Sequence, residues 1–208
     1  MNIAAIAALA PVIPVLTIEK RETAVPLARA LLKGGLPVLE ITLRTEVALE
    51  ALKAIVAEVP EAVVGAGTVL TPAQLDQVLR AGARFAVSPG CTTDLAKAAR
   101  SSGVPFLPGV QTVSEAMALA ELGFEFLKFF PADAAGGLTW IKAVAAPLSG
   151  VRFCPTGGIT AETAPAYLAL ANVACVGGSW VAPRVAVATG DWQSVERLAA
   201  MAAALKRP

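Results

Sequence analysis

Short apolar runs alternate with longer amphipathic stretches along the whole chain. The apolar runs have the length and composition of buried strands. We predict strands at residues 12–16, 38–42, 62–66, 85–87, 105–108, 126–129, 151–154 and 173–176. The stretches between them carry apolar side chains at helical spacing, as Leu27, Leu31 and Leu32 do. We predict helices at residues 22–32, 46–58, 72–81, 93–101, 114–122, 138–145, 161–169 and 192–205.

Start and stop signals mark the ends of these helices. A hydroxyl residue precedes two of them, at Thr71 and Thr92, and Ser114 with Glu115 opens a third. Glycine tolerates the left-handed backbone of a helix C-terminus, and it follows helices at positions 34–35, 82, 103 and 123. The chain therefore divides into eight strand–helix units of about 26 residues each, a compact size for a TIM barrel.

This order of elements favours an α/β fold, a (β/α)8 TIM barrel. We expect a single domain over residues 1–208 with a short N-terminal helix, because no Pro/Ser-rich linker or block of charge divides the chain. An open, doubly wound sheet gives the same alternation of strands and helices and is the alternative.

The composition excludes several classes of protein. Apolar residues make up 56% of the chain and charged residues 16%, which excludes a disordered chain. The 17 basic and 16 acidic side chains leave a net charge of +1, which argues against nucleic acid as the main partner. The chain has no histidine, which excludes catalytic triads that contain histidine, histidine general bases and metal sites with histidine ligands. Proton transfer must come from Glu, Asp, Lys, Tyr or water.

The cysteines and the N-terminal segment bear on the compartment. The three cysteines lie far apart in sequence and indicate neither a disulfide framework nor a metal site. Residues 1–18 carry no charged side chain, but the segment lacks the basic start of a secretory signal, and Pro11 and Pro14 interrupt it. We therefore expect a cytoplasmic protein that does not span a membrane.

The strongest candidate for chemistry is Lys128, inside the predicted strand 126–129. The active site of a TIM barrel lies at the carboxyl ends of the strands. Flanking Leu127 and Phe129 predict apolar surroundings, which disfavour the charged ammonium. A neutral amine can attack a ketone and form a Schiff base, whose iminium draws electrons from a neighbouring C–C bond. The alternative is a surface lysine whose stem crosses apolar side chains.

Three further polar residues lie at neighbouring strand ends. Glu40 sits in an apolar strand, where a carboxylate is costly unless it is paired or used as a proton shuttle. A salt bridge to Arg44 or Lys128 is the structural alternative. Arg44 and Thr68 together could hold a substrate carboxylate. Arg44 could instead be a surface residue, and Thr68 could cap the following helix.

Two glycine pairs follow the last two predicted strands. They stand in the segments Thr156-Gly157-Gly158 and Gly177-Gly178-Ser179. TIM barrels often bind phosphate at this place through loop amides, and glycine lets the backbone approach an oxyanion. A single Gly-Gly pair is usually only a turn, but two pairs at these positions favour a phosphate site.

Together these motifs resemble the family of 2-keto-3-deoxy-6-phosphogluconate (KDPG) and 4-hydroxy-2-oxoglutarate (KHG) aldolases. The matching segments cover nearly the whole chain: EITLRT at 40–45, VGAGTV at 64–69, SPG at 88–90, KFFPA at 128–132, RFCPTGGI at 152–159 and GGSW at 177–180. The resemblance implies a class I aldolase on a (β/α)8 barrel, a homotrimer that needs no metal or other cofactor. It implies cleavage of 2-dehydro-3-deoxy-6-phosphogluconate to pyruvate and glyceraldehyde 3-phosphate in the Entner–Doudoroff pathway. Some members also cleave 4-hydroxy-2-oxoglutarate.

The resemblance also implies roles for single residues. Lys128 matches the Schiff-base lysine, and Glu40 matches the acid/base that moves protons through a water molecule. Arg44 and Thr68 match the site of the pyruvate carboxylate, to which Gly67 contributes backbone. Arg44 also favours the gluconate over the galactonate epimer.

The resemblance implies a second group of residues around the rest of the substrate. The walls of the pocket match Pro89 and Phe130, and Thr156 matches a residue beside the substrate. The phosphate end matches Gly157, Gly158 and Ser179.

Two other functions fit parts of the pattern. A sugar-phosphate isomerase on a barrel would use Glu40 but would need no covalent Lys128. A non-catalytic barrel that binds phosphorylated metabolites would retain the phosphate site, but it would gain nothing from a desolvated amine.

Overall fold

The structure, a computed structural model, describes residues 1–206; residues 207 and 208 of the expected domain lie outside the described residues. The strands are β1 (Val12–Leu16), β2 (Val38–Thr42), β3 (Val63–Gly67), β4 (Phe85–Val87), β5 (Phe106–Leu107), β6 (Gly109–Val110), β7 (Phe126–Phe129), β8 (Arg152–Pro155) and β9 (Val176–Gly178). The helices are α1 (Ile3–Ala7), α2 (Ala24–Lys33), α3 (Ala48–Glu58), α4 (Pro72–Arg80), α5 (Thr93–Ser102), α6 (Val113–Glu121), α7 (Gly137–Val144), α8 (Ala164–Leu168), α9 (Arg184–Thr189) and α10 (Trp192–Ala203).

The strands form two sheets in which all named pairs are parallel. One sheet has the order β5-β4-β3-β2-β1-β9, and the other has the order β6-β7-β8. Two isolated parallel bridges, Phe153 with Val173 and Thr156 with Gly177, connect the smaller sheet to the chain around β9. The chain therefore has an α/β fold in which helices connect parallel strands.

The expected strand at 105–108 is two short segments, β5 and β6, on either side of Pro108. Proline has no N–H to donate to a ladder, so the strand is interrupted there. The Pro108 carbonyl still accepts a hydrogen bond from the Lys128 backbone N–H at 2.8 Å. This bond contributes to the position of Lys128 next to the break.

Alternate residues along the strands face two different apolar clusters. Leu39 and Ile41 belong to the larger cluster, between the sheets and the helices, whereas Val38 belongs to a smaller cluster. The smaller cluster also contains Phe126 of the other sheet, so the two sheets face each other across it. Because side chains alternate along a strand, Glu40 and Lys128 point to the same interior side as Val38 and Phe126.

Helix α1 closes one end of this interior. Its Ile6 and Ala7 are buried in the smaller cluster against the first residues of β2, β3, β4 and β7. The Asn2 side chain caps the helix by accepting a hydrogen bond from the Ala5 backbone N–H at 2.8 Å. The short N-terminal helix that the sequence predicts is therefore present, and it covers the amino-terminal ends of the strands.

The predicted helix signals agree with the structure at most positions. The Thr71 and Thr92 side chains cap α4 and α5. The third start differs, because Thr112 is the N-cap of α6 and forms a capping box with Glu115. Among the glycines expected at helix ends, positive φ angles occur at four positions: Gly35, Gly82, Gly103 and Gly123.

In the last quarter of the chain, one predicted strand was wrong in position and one helix was not predicted. The eighth predicted strand, 173–176, lies later, as β9 at Val176–Gly178, because pairing with β1 begins at Val176. A Cβ at position 177 would overlap the Thr156 side chain, which explains a glycine inside a strand.

Helix α9 was not predicted, since its six residues are too few for a periodic pattern and Pro183 gives it no side-chain cap. Across residues 1–206, no helix is both long and apolar enough to cross a bilayer.

Candidate active site

Lys128 and Glu40 form a buried ion pair in the interior. The distance from Lys128 Nζ to Glu40 Oε1 is 3.1 Å, and each side chain is 3% exposed. Glu40 comes from β2 of the larger sheet and Lys128 from β7 of the smaller one. The sequence left Arg44 and Lys128 open as partners of Glu40, and the structure shows Lys128. The pair places an amine and a proton acceptor in direct contact, shielded from solvent.

Glycines leave the space that this pair occupies. A Cβ at Gly67 would overlap the Glu40 carboxylate. Gly109 is aligned with Lys128 on the neighbouring strand, and a Cβ there would overlap the backbone of Ser88 and Pro89. Both positions therefore require a residue without a side chain. Pro89 thus lies against the strand next to Lys128.

A cavity of about 680 Å³ opens at the carboxyl ends of the strands. It is lined by six of the predicted site residues: Arg44, Phe130, Thr156, Gly157, Gly158 and Ser179. Lys128 and Glu40 are not among the lining residues, and neither are Gly67, Thr68 and Pro89. Phe130 connects the two regions, because it lines the cavity and its ring centroid lies 5.4 Å from Lys128 Nζ.

Arg44 and Thr68 are joined by a hydrogen bond. Arg44 Nε donates to Thr68 Oγ1 at 3.1 Å. Thr68 has a φ of +59° and is the one non-glycine residue with positive φ among the described residues. This conformation costs about 1–2 kcal/mol and is typical of functional sites. The helix-cap alternative for Thr68 is wrong, since Thr71 caps α4. The exposed guanidinium of Arg44 keeps donors available for an anion.

The turn after β8 is held by the loop after β7. The Ala132 and Asp133 backbone N–H groups donate to the carbonyls of Thr156 and Gly157, at 2.8 and 3.0 Å. Gly157 and Gly158 have φ angles of +99° and +78°, which few other residues tolerate. A Cβ at Gly158 would also overlap Asp133. The turn therefore presents bare backbone to the cavity, a surface suited to an oxyanion.

Thr156 and Ser179 add two hydroxyl groups at this end of the cavity. Thr156 is buried, and its Oγ1 donates to the Cys154 carbonyl at 3.3 Å. Ser179 is exposed and follows β9 directly. Both residues line the cavity. Each hydroxyl can accept or donate a further hydrogen bond.

The loop after β1 also contributes to the cavity, although none of the sequence motifs pointed to it. Thr17 and Glu19 line the cavity, together with Thr45 and Arg184. Thr45 Oγ1 donates to the Ile18 carbonyl at 2.6 Å, which ties this loop to the end of β2. Thr17 and Glu19 directly follow the first predicted strand, and these polar residues were the signal in the sequence that could have indicated this part of the cavity.

Two other titratable side chains, Cys91 after β4 and Tyr167 in α8, are held in their neutral forms. Burial raises the pKa of the Cys91 thiol to about 11, so it stays protonated at neutral pH. Burial, and next the charge of Asp133, raise the pKa of Tyr167. Within residues 1–206, no group of three or more His, Cys, Asp or Glu side chains gathers as a metal site would require.

A buried lysine in contact with a carboxylate, beside a cavity at the carboxyl ends of parallel strands, is the arrangement that a lyase of the Schiff-base type requires. The family described as KDPG and KHG aldolase matches residues 3–198. The chain belongs to this aldolase family.

Known relatives are similar over almost their whole length. The KHG/KDPG aldolase of Escherichia coli (strain K12) is 53% identical over 189 residues, which are 91% of this chain and 89% of that protein. The KDPG aldolase of Legionella pneumophila, solved with pyruvate captured as a covalent carbinolamine, is 46% identical with a TM-score of 0.96, covering 98% of this chain and 99% of that one. The aldolase of Zymomonas mobilis ZM4, solved with 3-phosphoglycerate, is 50% identical with a TM-score of 0.94, covering 99% and 97%.

Proposed function

We propose that this protein is a class I aldolase that cleaves 2-dehydro-3-deoxy-6-phosphogluconate to pyruvate and glyceraldehyde 3-phosphate through a Schiff base on Lys128. The observation that carries the proposal is the contact of 3.1 Å between Lys128 Nζ and Glu40 Oε1, with both side chains buried. The Legionella relative, with pyruvate bound as a carbinolamine, supports the same chemistry for this chain.

Glu40 prepares the amine and then serves the later proton transfers. Lys128 Nζ first transfers a proton to Glu40 Oε1, which lies 3.1 Å away. The neutral amine adds to the C2 carbonyl of the substrate and gives a carbinolamine. The Glu40 carboxylic acid protonates its hydroxyl, which leaves as water, and the iminium forms.

The iminium then accepts the electrons of the C3–C4 bond. A base removes the proton of the C4 hydroxyl, the C3–C4 bond breaks, and glyceraldehyde 3-phosphate leaves. The remaining enamine takes a proton at C3 and becomes the iminium of pyruvate. Addition of water releases pyruvate and restores the Lys128 amine. Glu40 is the carboxylate within reach of this amine and is proposed to exchange these protons through a water molecule.

The two ends of the substrate are proposed to bind on different strand ends. Arg44 and Thr68, already joined by a hydrogen bond, hold the carboxylate next to the keto group, and the Gly67 backbone assists. The phosphate binds the residues after β8 and β9, Gly157, Gly158 and Ser179, which line the cavity. Between these ends, the substrate lies against three further residues: Pro89, Phe130 and Thr156. The Zymomonas relative, solved with 3-phosphoglycerate, supports an anionic ligand.

We propose that the two sheets form one closed (β/α)8 barrel and a single domain. On one side, the bridges Phe153–Val173 and Thr156–Gly177 join β8 to the chain around β9, which supports closure of the barrel. On the other side, the break at Pro108 accounts for the separation of the two sheets between β5 and β6. We also propose a cytoplasmic homotrimer that acts on 4-hydroxy-2-oxoglutarate as a second substrate. The name of the Escherichia coli relative supports this second activity.

The proposal is tested by borohydride reduction in the presence of pyruvate, followed by peptide mass mapping. A reduced pyruvyl adduct on Lys128 is the expected result. The Lys128→Met variant is the control and should remain unlabelled. If the protein is not labelled where another class I aldolase is, the covalent mechanism is wrong. Glu40 would then act as the base of a non-covalent sugar-phosphate isomerase.

A further inference from the structure

Arg184 and Glu19 form an ion pair on the wall of the large cavity, outside the residues to which the aldolase site is assigned. Glu19 lies in the loop after β1, and Arg184 begins α9 after β9. Strands β1 and β9 are paired, with Ile13 aligned with Gly177, so the loops that follow them are neighbours. Both side chains are mostly exposed, at 87% for Arg184 and 55% for Glu19.

This ion pair separates the large cavity from a small cleft of about 60 Å³. Arg184 and Glu19 line both spaces, together with Thr17, Ala182 and Val187. The guanidinium therefore has open space on two sides. The Arg184 side chain is 87% exposed, so it is not part of the packed interior and a rotation toward the cavity would leave that interior intact.

Arg184 also lies on the side of the cavity where the phosphate is proposed to bind. Ser179 and Arg184 share the segment after β9, and the bridge between Thr156 and Gly177 places the Gly157 turn beside it. Among the described residues that line the cavity, the cations are Arg44 and Arg184 and the anion is Glu19. Arg44 follows β2, and β1 lies between β2 and β9 in the sheet. The loop after β1 therefore separates Arg44 from the proposed phosphate end. Apart from Arg184, the proposed phosphate end offers neutral donors.

We infer that Arg184 determines specificity for substrates that carry a phosphomonoester at the end opposite the keto acid, an inference that rests on the proposed aldolase function. Glu19 holds the guanidinium in the free protein and competes with the phosphate for it. The planar donors of arginine match two phosphate oxygens, and an exposed ion pair contributes little to stability. Exchange of the Glu19 carboxylate for a doubly charged phosphate is therefore favourable.

Steady-state kinetics of the full chain test this inference with two substrates, 2-dehydro-3-deoxy-6-phosphogluconate and 2-dehydro-3-deoxygluconate, which is the same sugar acid without its phosphate. Arg184→Ala should raise the KM for the phosphorylated substrate about tenfold, the effect of one charge-assisted interaction. Its effect on the KM for the unphosphorylated substrate should be less than about twofold. Glu19→Gln should lower the KM for the phosphorylated substrate, because the competitor is gone.

Lys20→Ala is the matched control. Lys20 is an exposed cation in the loop after β1, next to Glu19. Its side chain lines the small cleft but not the large cavity. Its removal should leave both KM values near those of the wild type. Equal losses on both substrates in Arg184→Ala, or a raised KM in Glu19→Gln, would show a purely structural pair and overturn the inference. If the wild type does not cleave the phosphorylated substrate, the proposed function itself fails.

Discussion

Gly67 lies against the Glu40 carboxylate so closely that a Cβ on residue 67 would come within 2.7 Å of Glu40 Cγ and would overlap Oε1. The register of the two strands causes this, because Thr42 of β2 is aligned with Gly67 of β3 and Glu40 lies two residues earlier. Because residue 67 has no side chain, the carboxylate of Glu40, the proposed acid/base, can occupy this place.

Gly67→Ala should displace the Glu40 carboxylate and lower kcat for aldol cleavage about 100-fold, the lower end of a general acid–base contribution. Gly150→Ala is the control, because nothing lies within 4 Å of a Cβ at that position. Steady-state assays and thermal unfolding of both variants separate the two effects. Normal turnover in a folded Gly67→Ala protein would contradict the role given to Glu40.

Lys128→Met should lower kcat at least about 10³-fold, because no amine remains to form the Schiff base. The same change leaves Glu40 buried without its partner, which should destabilise the fold by about 3–5 kcal/mol. The double variant Lys128→Met/Glu40→Gln should regain part of that stability while remaining inactive. Denaturant unfolding measures the difference. A single variant as stable as the double one would mean that Glu40 finds another partner or solvent.

Ser179→Ala should raise the KM for the phosphorylated substrate about fivefold, the loss of one hydrogen bond to a charged group in an exposed position. The KM for 2-dehydro-3-deoxygluconate, the same substrate without its phosphate, should change much less. Ser149→Ala, in the exposed turn after α7, is the control. Equal losses on the two substrates would remove Ser179 from the phosphate end.

Glu115 provides a pH-dependent contribution to stability through the capping box of α6. Its Oε2 accepts hydrogen bonds from the Gln111 and Thr112 backbone N–H groups, both at 2.8 Å. The bond from Gln111 is the largest cause of the lowered pKa of this carboxyl. A lowered pKa in the folded state means that the carboxylate stabilises the fold above its unfolded pKa. That contribution is lost as the pH falls through the folded pKa.

Glu115→Gln should therefore cost about 0.5–1 kcal/mol of unfolding free energy at pH 7. The difference from the wild type should disappear in acid, below the folded pKa of Glu115. Glu121→Gln, in the last turn of the same helix, is the control. Denaturant unfolding at several pH values measures both variants. A difference that persists in acid would mean that the charge of Glu115 is not its source.

The sequence predicts the fold well where a strand is a short, mainly apolar run. The predicted bounds of β1, β2, β4 and β7 are those of the structure, because these strands are buried apart from half-buried Val15 in β1, and each ends at a polar residue or turn. The prediction fails where pairing, and not hydrophobicity, decides the bounds. Val173 and Cys175 are as apolar as any strand residue, but pairing with β1 begins at Val176 and continues into the glycines.

The candidate site is predictable to the extent that its residues stand out from their immediate surroundings. Lys128 and Glu40 are charges inside apolar strands, so each is conspicuous alone. Their contact joins positions 88 residues apart and follows only from the sheet order. Glu19 and Arg184 are exposed charges 165 residues apart, and nothing in the local sequence distinguishes them from other surface charges.

Because α1 covers the amino-terminal ends of the strands, the two ends of the molecule differ in structure and in function. Ile6 and Ala7 seal the interior at the amino-terminal ends of the strands, whereas the cavity and its polar residues occupy the opposite end. An engineer can therefore attach a support or a fusion partner beside α1, or redesign its exposed face, far from the substrate entrance. Enzyme immobilised through this end would keep its cavity directed toward the reaction medium.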